Sequence, residues 1–307
     1  MAHTTVDPAP GPAPVPEAPS AETPEAPTAP APPRGRAGAA RRLPLVLALG
    51  ALALLLLAAL APGLLSSVSP VDTHPAEALT PPGAAHWFGT DQLGRDLFAR
   101  VLHGARPSLL LGLGATAFAV TGGTLLGLAA ALGGRWADQV LMRLADVLLA
   151  LPPILLALLA VTVLGTGSLN VMLAIAIAFV PGYARIVRAE TLVVRRSGYV
   201  EAAVGLGLPR PLLIVRHVLP NAVGPMLVLA TVGFGTALIA AAGLSFLGLG
   251  PQPPSPEWGA MLSQGRRFLA TAWWVGVFPG AAITATALVV NVLGRRAQAR
   301  FTRRTDA

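Results

Sequence analysis

The sequence of 307 residues contains no cysteine and no lysine, and only 12% of its residues are charged. The absence of cysteine excludes disulfide bridges and thiolate metal sites within the chain. The absence of lysine excludes a phosphate-binding P-loop, because that loop needs a lysine side chain to reach the nucleotide phosphates. A soluble domain carries about 25% charged residues, so this composition indicates another class of protein.

The chain is rich in apolar residues, and 54% of its residues are hydrophobic. Six apolar runs are each long enough to cross about 30 Å of hydrocarbon, which takes roughly 20 helical residues. They predict an all-α integral membrane protein with six transmembrane helices. The predicted spans are residues 43–65, 109–132, 142–164, 169–187, 222–247 and 273–293.

The regions outside the spans differ in composition. Residues 1–33 contain 11 prolines and 8 alanines without periodicity, so we expect residues 1–42 to form a disordered tail that ends in an arginine cluster. The first span and an outer-face segment follow in residues 43–106, the core transmembrane domain in 107–296, and a basic tail in 297–307. The first apolar run is too long for a signal peptide, and further spans follow it, so we expect it to be retained.

All 22 basic residues are arginines, and they are unevenly distributed. With a cytoplasmic N-terminus, six spans would place 17 arginines inside and 5 outside. Because cytoplasmic loops carry the excess of basic residues, this asymmetry predicts that both termini are cytoplasmic. The five arginines expected outside are Arg95, Arg100, Arg106, Arg266 and Arg267.

The second predicted span contains the pair Gly123 and Gly127. Glycines four residues apart lie on one face of a helix and allow close packing against another helix. Such pairs are common in membrane helices, so this one predicts a helix contact rather than a particular function.

A polar, arginine-bearing stretch, residues 201–220, separates the fourth and fifth predicted spans. Ala202 and Ala203 are small enough for a partner to approach closely. Gly207 suits the left-handed conformation that ends a helix, and Pro209 or Pro211 can open the next helix. The stretch therefore predicts a helix–turn–helix.

This stretch resembles the EAA loop of the permease subunits of bacterial ABC importers, a loop that docks into a groove on a cytoplasmic ATPase. We use the name EAA loop for residues 201–220. The resemblance implies that its motif residues form the ATPase-coupling interface. These residues are Glu201, Ala202, Ala203, Gly207, Leu219 and Pro220. Helical spacing also predicts an apolar face made of Leu208, Leu212, Val215 and Leu219.

A second motif, residues 89–96, precedes the second span and is similar to the entry of peptide-type permeases. Asp91, Arg95 and Asp96 are close enough in sequence for local ion pairing, which would fold the outer-face segment against the helix ends. We favour this structural role over direct contact with the substrate. The residues of the 89–96 motif that carry the resemblance are Gly89, Thr90, Asp91, Gly94, Arg95 and Asp96.

Further segments resemble the permeases of dipeptide and oligopeptide importers, and they occur in the same order along the chain as in that family. The resemblance covers about two thirds of the chain, from residue 86 to residue 296. The chain departs from the family pattern at His217, at Ala241 and at Arg295-Arg296, where relatives have Ile, Glu and an acidic ending. The matching segments are residues 181–185 with Arg188, 244–250, 252–254 and 258–259.

The resemblance implies a type I ABC importer permease fold with cytoplasmic coupling helices between spans 4 and 5. It also implies a multi-pass protein of the bacterial cytoplasmic membrane. The expected partners are a homologous second permease, two ABC ATPase subunits, an extracellular solute-binding protein and the lipid bilayer, with no nucleic acid. We expect no catalytic residue, no metal and no cofactor in this chain, because the partner ATPases would bind the ATP.

Three alternatives to a peptide importer remain, one with a different cargo and two that belong to a different class of membrane protein. The same machinery could import nickel chelates or another small solute instead of dipeptides and oligopeptides. An ion-coupled secondary transporter needs acids near the midplane, but Asp146 is the only acid in a predicted span, and Arg143 is its expected helix-face partner. A membrane-embedded enzyme is disfavoured because no HExxH or GxSxG motif is present.

Reporter fusions test the predicted topology. A reporter fused after Asp306 and one inserted within residues 251–265 should report opposite sides of the membrane, because the arginine asymmetry places them there. Paired fusions to an externally active phosphatase and a fluorescent protein would measure this. Both positions reporting the same side would contradict the six-span topology.

Overall fold

The computed structural model describes residues 36–209 and 219–305, together with Leu212 and Arg216. Within this part of the chain the secondary structure is helical, apart from one isolated bridge between Thr90 and Asp96. Residues 1–35 of the predicted disordered tail, which covers residues 1–42, lie outside the described residues. The α-helices are α1 (Arg36–Leu60), α2 (Leu97–Leu132), α3 (Gly134–Leu149), α4 (Pro153–Leu164), α5 (Ser168–Arg195), α6 (Gly198–Gly205), α7 (Leu219–Phe246), α8 (Trp258–Gly265) and α9 (Trp274–Thr305).

Four helices of the described chain, α2, α5, α7 and α9, are long and apolar enough to cross a membrane. The apolar part of α1, Leu45–Leu60, is shorter. Each of the six predicted runs thus coincides with helical structure. The first helix starts earlier than the predicted span. It begins at Arg36, within the arginine cluster that we assigned to the tail.

The third predicted span, residues 142–164, is not one continuous helix. It is divided between α3 and α4, which meet at a bend of 99° and are long and apolar enough to cross a membrane only when taken together. Pro152 lies in the break, and Pro153 is the first residue of α4. Proline lacks an N–H for the helical ladder and disfavours helical geometry in the residue before it, so the prediction of a single helix is wrong here for a reason visible in the sequence.

The predicted glycine contact is confirmed between α2 and α5. A Cβ atom on Gly127 would lie 2.6 Å from the carbonyl oxygen of Ala184 and 2.7 Å from the Cβ of Val187. A Cβ atom on Gly123 would collide with Tyr183 in the same way. The two helices therefore approach so closely that only glycine fits at these two positions.

Buried apolar residues form two large clusters. The first joins α2, α4, α5 and α7, and the second joins α1, α2, α8 and α9 with the segment that connects α1 to α2. Fully buried members of the first cluster include Leu111, Ala115, Val161, Val171 and Leu244. Those of the second include Leu97, Ala105, Trp258, Ala272 and Val275.

Two ion pairs connect α3 to α5. Arg188 binds the carboxylate of Asp138 through its Nε and its Nη2, with an Nη2–Oδ2 distance of 2.6 Å. Arg185 pairs with Asp146. The expected pair of Asp146 with Arg143 is therefore wrong, because α3 lies against α5 and brings Arg185 to this carboxylate.

Aromatic side chains gather at one end of α2. Phe88 stacks on Phe278 with ring centroids 3.9 Å apart. Trp87 and Trp273 lie nearby and remain 67% and 53% exposed. At the opposite end of α2, in the first turn of α3, Trp136 is 81% exposed. Exposed tryptophans thus occur near both ends of this long helix.

Substitution of a single packing glycine tests the contact between α2 and α5. Gly127→Ala should lower the melting temperature of the purified chain, because the added methyl group meets the backbone of Ala184. Overpacking of this kind costs about 1–3 kcal/mol. Gly243→Ala in α7 is the matched control, since its Cβ would meet no atom within 4 Å. Equal effects of the two substitutions in thermal unfolding would contradict the close packing.

A charge exchange tests the bidentate pair between α3 and α5. Asp138→Arg and Arg188→Asp should each lower stability, because each places like charges opposite one another, whereas the double variant should recover part of the loss. The side chains are about one third exposed, so we expect a coupling energy of up to about 1 kcal/mol. Thermal unfolding of the four proteins measures it. Strict additivity of the two single effects would show that the pair contributes nothing.

Candidate functional site

The EAA loop begins with a short helix directly after α5. Glu201, Ala202 and Ala203 lie in α6, which ends in a turn where the N–H of Leu208 donates to the carbonyl of Ala203 over 3.2 Å. Gly207 has φ = +78°, which confirms the predicted left-handed residue. An L-residue with a side chain would be strained at this φ by about 1–2 kcal/mol.

Between Pro209 and Leu219, only Leu212 and Arg216 of the EAA loop are among the described residues. Leu219 and Pro220 form the start of α7. The predicted apolar face is therefore described only in part, and Val215 is not among the described residues. The coupling interface as a whole stays a prediction.

The two alanines of the motif have different surroundings. Ala203 is buried and packs in a small cluster with Val194, Val200 and Leu208 of the same chain. Ala202 is exposed, as expected for a position that a partner approaches. Large apolar side chains also lie on the surface of the loop, where Leu206 is 81% and Leu212 is 44% exposed. The described part of the EAA loop thus presents uncovered apolar surface.

The 89–96 motif forms a compact buried structure around one carboxylate. Asp91 accepts hydrogen bonds from the backbone N–H groups of Leu93 and Arg95, and its Oδ2 lies 2.6 Å from the Nε of Arg95. Arg95 and Asp91 are only 3% and 4% exposed. The predicted local ion pair is thus confirmed for these two residues.

Asp96 has a different role from its neighbour. It caps α2 by accepting from the N–H of Ala99 over 2.8 Å, and its other oxygen lies 2.8 Å from Nδ1 of His86. The backbone carbonyl of Thr90 accepts from the indole N–H of Trp274 over 3.0 Å. These contacts attach the motif to both α2 and α9. Gly89 and Gly94, which flank the turn, have φ values of +74° and +72°.

Two buried charged residues were not identified from the sequence. Glu257 is 1% exposed and caps α8 by accepting from the N–H groups of Gly259 and Ala260, both over 2.8 Å. Burial raises the pKa of Glu257, while these hydrogen bonds act in the opposite direction. An acidic residue directly before a helix is a capping signal, but nothing in the sequence marks it as buried.

The second missed residue is Arg100 in the first turns of α2, which is 1% exposed. Its Nε lies 3.5 Å from Oδ2 of Asp91, and its Nη1 donates to the carbonyl of Pro70 over 2.9 Å. Asp91 thus contacts two arginines, of which the sequence had indicated one.

An open groove of about 260 Å³ lies between the α3–α4 break, α5 and α7. It includes residues from the 181–185 match, and its surface is mainly apolar. Across the described residues, no group of three or more histidine, aspartate or glutamate side chains could hold a metal ion. The residues that line the groove are Leu149, Pro153, Ala178, Phe179, Gly182, Tyr183, Ile186, Gly233 and Thr236.

Comparison with solved structures shows similar folds in importer permeases. The chain matches "Inward facing conformations of the MetNI methionine ABC transporter" with a TM-score of 0.53 and 17% identity, over 64% of this chain and 94% of the other. It matches "Crystal structure of an amino acid ABC transporter with histidines" with a TM-score of 0.52 and 18% identity, over 66% and 94%. At this identity the likeness concerns the fold, and it agrees with the predicted type I permease fold.

Comparison with known sequences gives closer relatives. The chain is 46% identical over 240 residues to the "Dipeptide transport system permease protein DppC" of Alkalihalophilus pseudofirmus, covering 78% of this chain and 79% of that protein. It is 48% identical over 217 residues to the "Probable D,D-dipeptide transport system permease protein DdpC" of Escherichia coli, covering 70% and 72%. It is 46% identical over 213 residues to the "Glutathione transport system permease protein GsiD" of Pectobacterium atrosepticum, covering 69% and 71%.

Residues 123–307 match the family described as "Binding-protein-dependent transport system inner membrane component". This match covers more than half of the chain and includes the EAA loop. The family, the relatives and the helical architecture agree with one another. The chain is a multi-pass membrane protein and belongs to the inner membrane permease components of binding-protein-dependent ABC importers.

Proposed function

We propose that this chain forms half of the translocation path of an importer for dipeptides and oligopeptides. The observation that supports this cargo is the identity of 46–48% to relatives named for dipeptide, D,D-dipeptide and glutathione transport. All three names denote small peptides or peptide-like solutes. A homologous second permease would supply the other half of the path, and an extracellular solute-binding protein would deliver the cargo.

The energy would come from ATP bound by two partner ATPase subunits and not by this chain. The sequence contains no lysine, so a P-loop cannot be assembled from its residues. We propose the EAA loop as the docking site of one ATPase subunit. The exposed Ala202, Leu206 and Leu212 support this proposal, because apolar side chains on a short polar loop gain stability when a partner covers them.

The contacts of α5 suggest how a movement of the EAA loop would be transmitted to the transmembrane helices. The loop continues from α5, and α5 holds α2 through the glycine contact at Gly127 and α3 through the ion pair of Arg188 with Asp138. A displacement of α6 would therefore move these helices together. The groove between α5, α7 and the α3–α4 break would contribute to the wall of the path, since it opens beside the moving elements.

The arginine distribution further supports a fixed orientation. In our proposal both termini are cytoplasmic, and the 89–96 motif lies on the outer face beside the binding protein. Because Asp91 and Arg95 are buried within the chain, the motif would shape the outer end of the bundle. The carboxylates and arginines of the motif would not contact the cargo.

Reconstitution tests the cargo and the coupling together. The complex with its ATPases and binding protein should accumulate labelled dipeptide in proteoliposomes when ATP is present. Gly207→Val should reduce this uptake at least tenfold and weaken co-purification of the ATPases, because valine at φ = +78° distorts the loop. Glu201→Arg, which reverses the charge at the first motif residue, should have the same effects.

Gly198→Val is the matched control. Gly198 opens α6, has open space around it as Gly207 does, and has no positive φ, so the variant should retain uptake. Normal co-purification and uptake by Gly207→Val and Glu201→Arg would contradict the coupling role of the loop. Uptake of a nickel chelate in place of dipeptide would contradict the cargo and leave the coupling intact.

A further inference from the structure

A second and larger groove lies among α1, α2, α7 and α9, and we call it the four-helix groove. Its volume is about 510 Å³, and the side chains that line it are apolar apart from four threonines. Its floor contains Thr116, Phe234 and Thr286, which are buried. Its rim contains Leu56 and Leu113, which are 46% and 55% exposed. The groove is therefore open on one side, and the proposed transport mechanism gives it no role.

The dimensions of the four-helix groove suit one hydrocarbon chain. A cavity of about 150 Å³ holds benzene, so the larger volume of this groove gives room for roughly 20 carbon atoms. Along α2 the lining extends from Leu109 to Thr121, which is about 18 Å at 1.5 Å per residue. The hydrocarbon of one leaflet is about 15 Å thick, half of the bilayer core. The groove thus matches one acyl chain in both volume and length.

The depth of the groove in the predicted spans limits what can occupy it. On α2 the lining starts at Leu109, the first residue of the predicted span, whereas on α1, α7 and α9 it is confined to residues 52–56, 230–234 and 286–290 in the interior of theirs. The groove therefore runs from one boundary of the hydrocarbon to about the midplane, where no water is available. A partner helix is 10–12 Å across and would continue through both leaflets, so a lipid chain fits the groove better.

A basic residue stands at the boundary end of the groove. Arg106 is exposed and precedes Leu109 on α2 by three residues. It also precedes Leu113 and Val120 of the lining by seven and fourteen residues, and this spacing places all three on one side of the helix. None of the ion pairs among the described residues includes Arg106. A guanidinium group at the edge of the hydrocarbon can bind a phosphate group through two hydrogen bonds.

We propose that the four-helix groove binds an anionic phospholipid, with one acyl chain in the groove and the phosphate at Arg106. In the proposed orientation this lipid belongs to the outer leaflet. The positive charge of Arg106 favours a lipid with a net negative charge over a zwitterionic one. Because α1 packs on α2 and α9, the chain would fill the space between α1 and its neighbours and stabilise their contact. This inference does not depend on the cargo or on ATP.

Native mass spectrometry of the purified full-length chain in detergent tests the proposal. We compare phosphatidylglycerol with diacylglycerol of the same acyl chains, which lacks the phosphate. The chain should retain one phosphatidylglycerol and bind it more tightly than diacylglycerol, by about fivefold for the contact with one arginine. Equal binding of the two lipids would overturn the proposal. Inorganic phosphate should not displace the bound lipid, and displacement would overturn the proposal by showing that a free anion suffices.

Variants locate the binding site. Arg106→Gln should remove the preference for phosphatidylglycerol over diacylglycerol, because it removes the guanidinium group. Ala117→Phe should prevent the binding of both lipids, because Ala117 is an exposed residue of the lining and the added ring would occupy the groove. The matched controls are Arg267→Gln and Ala281→Phe, at exposed positions outside the lining, and they should bind as the wild type does. Wild-type binding by both Arg106→Gln and Ala117→Phe would overturn the proposal.

A direct observation in the complete importer covers the case in which a variant does not fold. Electron cryomicroscopy of the wild-type complex in nanodiscs that contain phosphatidylglycerol should show an elongated density in the four-helix groove, with its head beside Arg106. A helix of the partner permease in the groove would identify a subunit interface and overturn the proposal. A groove without density in a map that resolves the surrounding side chains would overturn it equally.

Discussion

The close contact between α2 and α5 is the packing interaction on which the other helices depend. In lipid, the hydrophobic effect does not drive helices together, so association relies on van der Waals packing and on close backbone approach. Gly123 and Gly127 allow that approach. Helix α4 packs on α5, and α7 packs on both α2 and α5, so the position of each follows from this central pair. The continuation of α5 into the EAA loop places the same pair next to the proposed coupling surface.

The polar groups of the chain are arranged differently at the two ends of the bundle. In the 89–96 motif Asp91 and Arg95 are buried, and the charged side chains pair within the chain, which fixes this segment against α2 and α9. In the EAA loop the described apolar side chains remain exposed. One end thus pairs its charged side chains within the chain, whereas the described part of the other end leaves apolar side chains uncovered. This difference agrees with a subunit whose binding surface for the ATPase lies on a short loop.

The parts of the structure that could be predicted from sequence are those that local rules determine. Apolar length located the spans, and the backbone requirement of Gly207 predicted its positive φ. The break at Pro152-Pro153 carried a local signal as well, but the continuous apolar run obscured it. The partners of Asp146 and Arg100 could not be predicted, because they depend on which helices become neighbours. Burial of Glu257 is a tertiary property of the same kind, even though its capping position is local.

The exposed tryptophans have a consequence for how deep the molecule sits in the bilayer. Tryptophan prefers the headgroup region, where its apolar ring and its N–H are both accommodated. Trp87 and Trp273 lie near one end of α2, and Trp136 lies at the other. With 36 residues, α2 is about 54 Å long at 1.5 Å per residue, which exceeds a hydrocarbon core of about 30 Å. The tryptophans at its two ends are therefore far enough apart to reach both headgroup regions, and we expect them to anchor the subunit against displacement along the membrane normal.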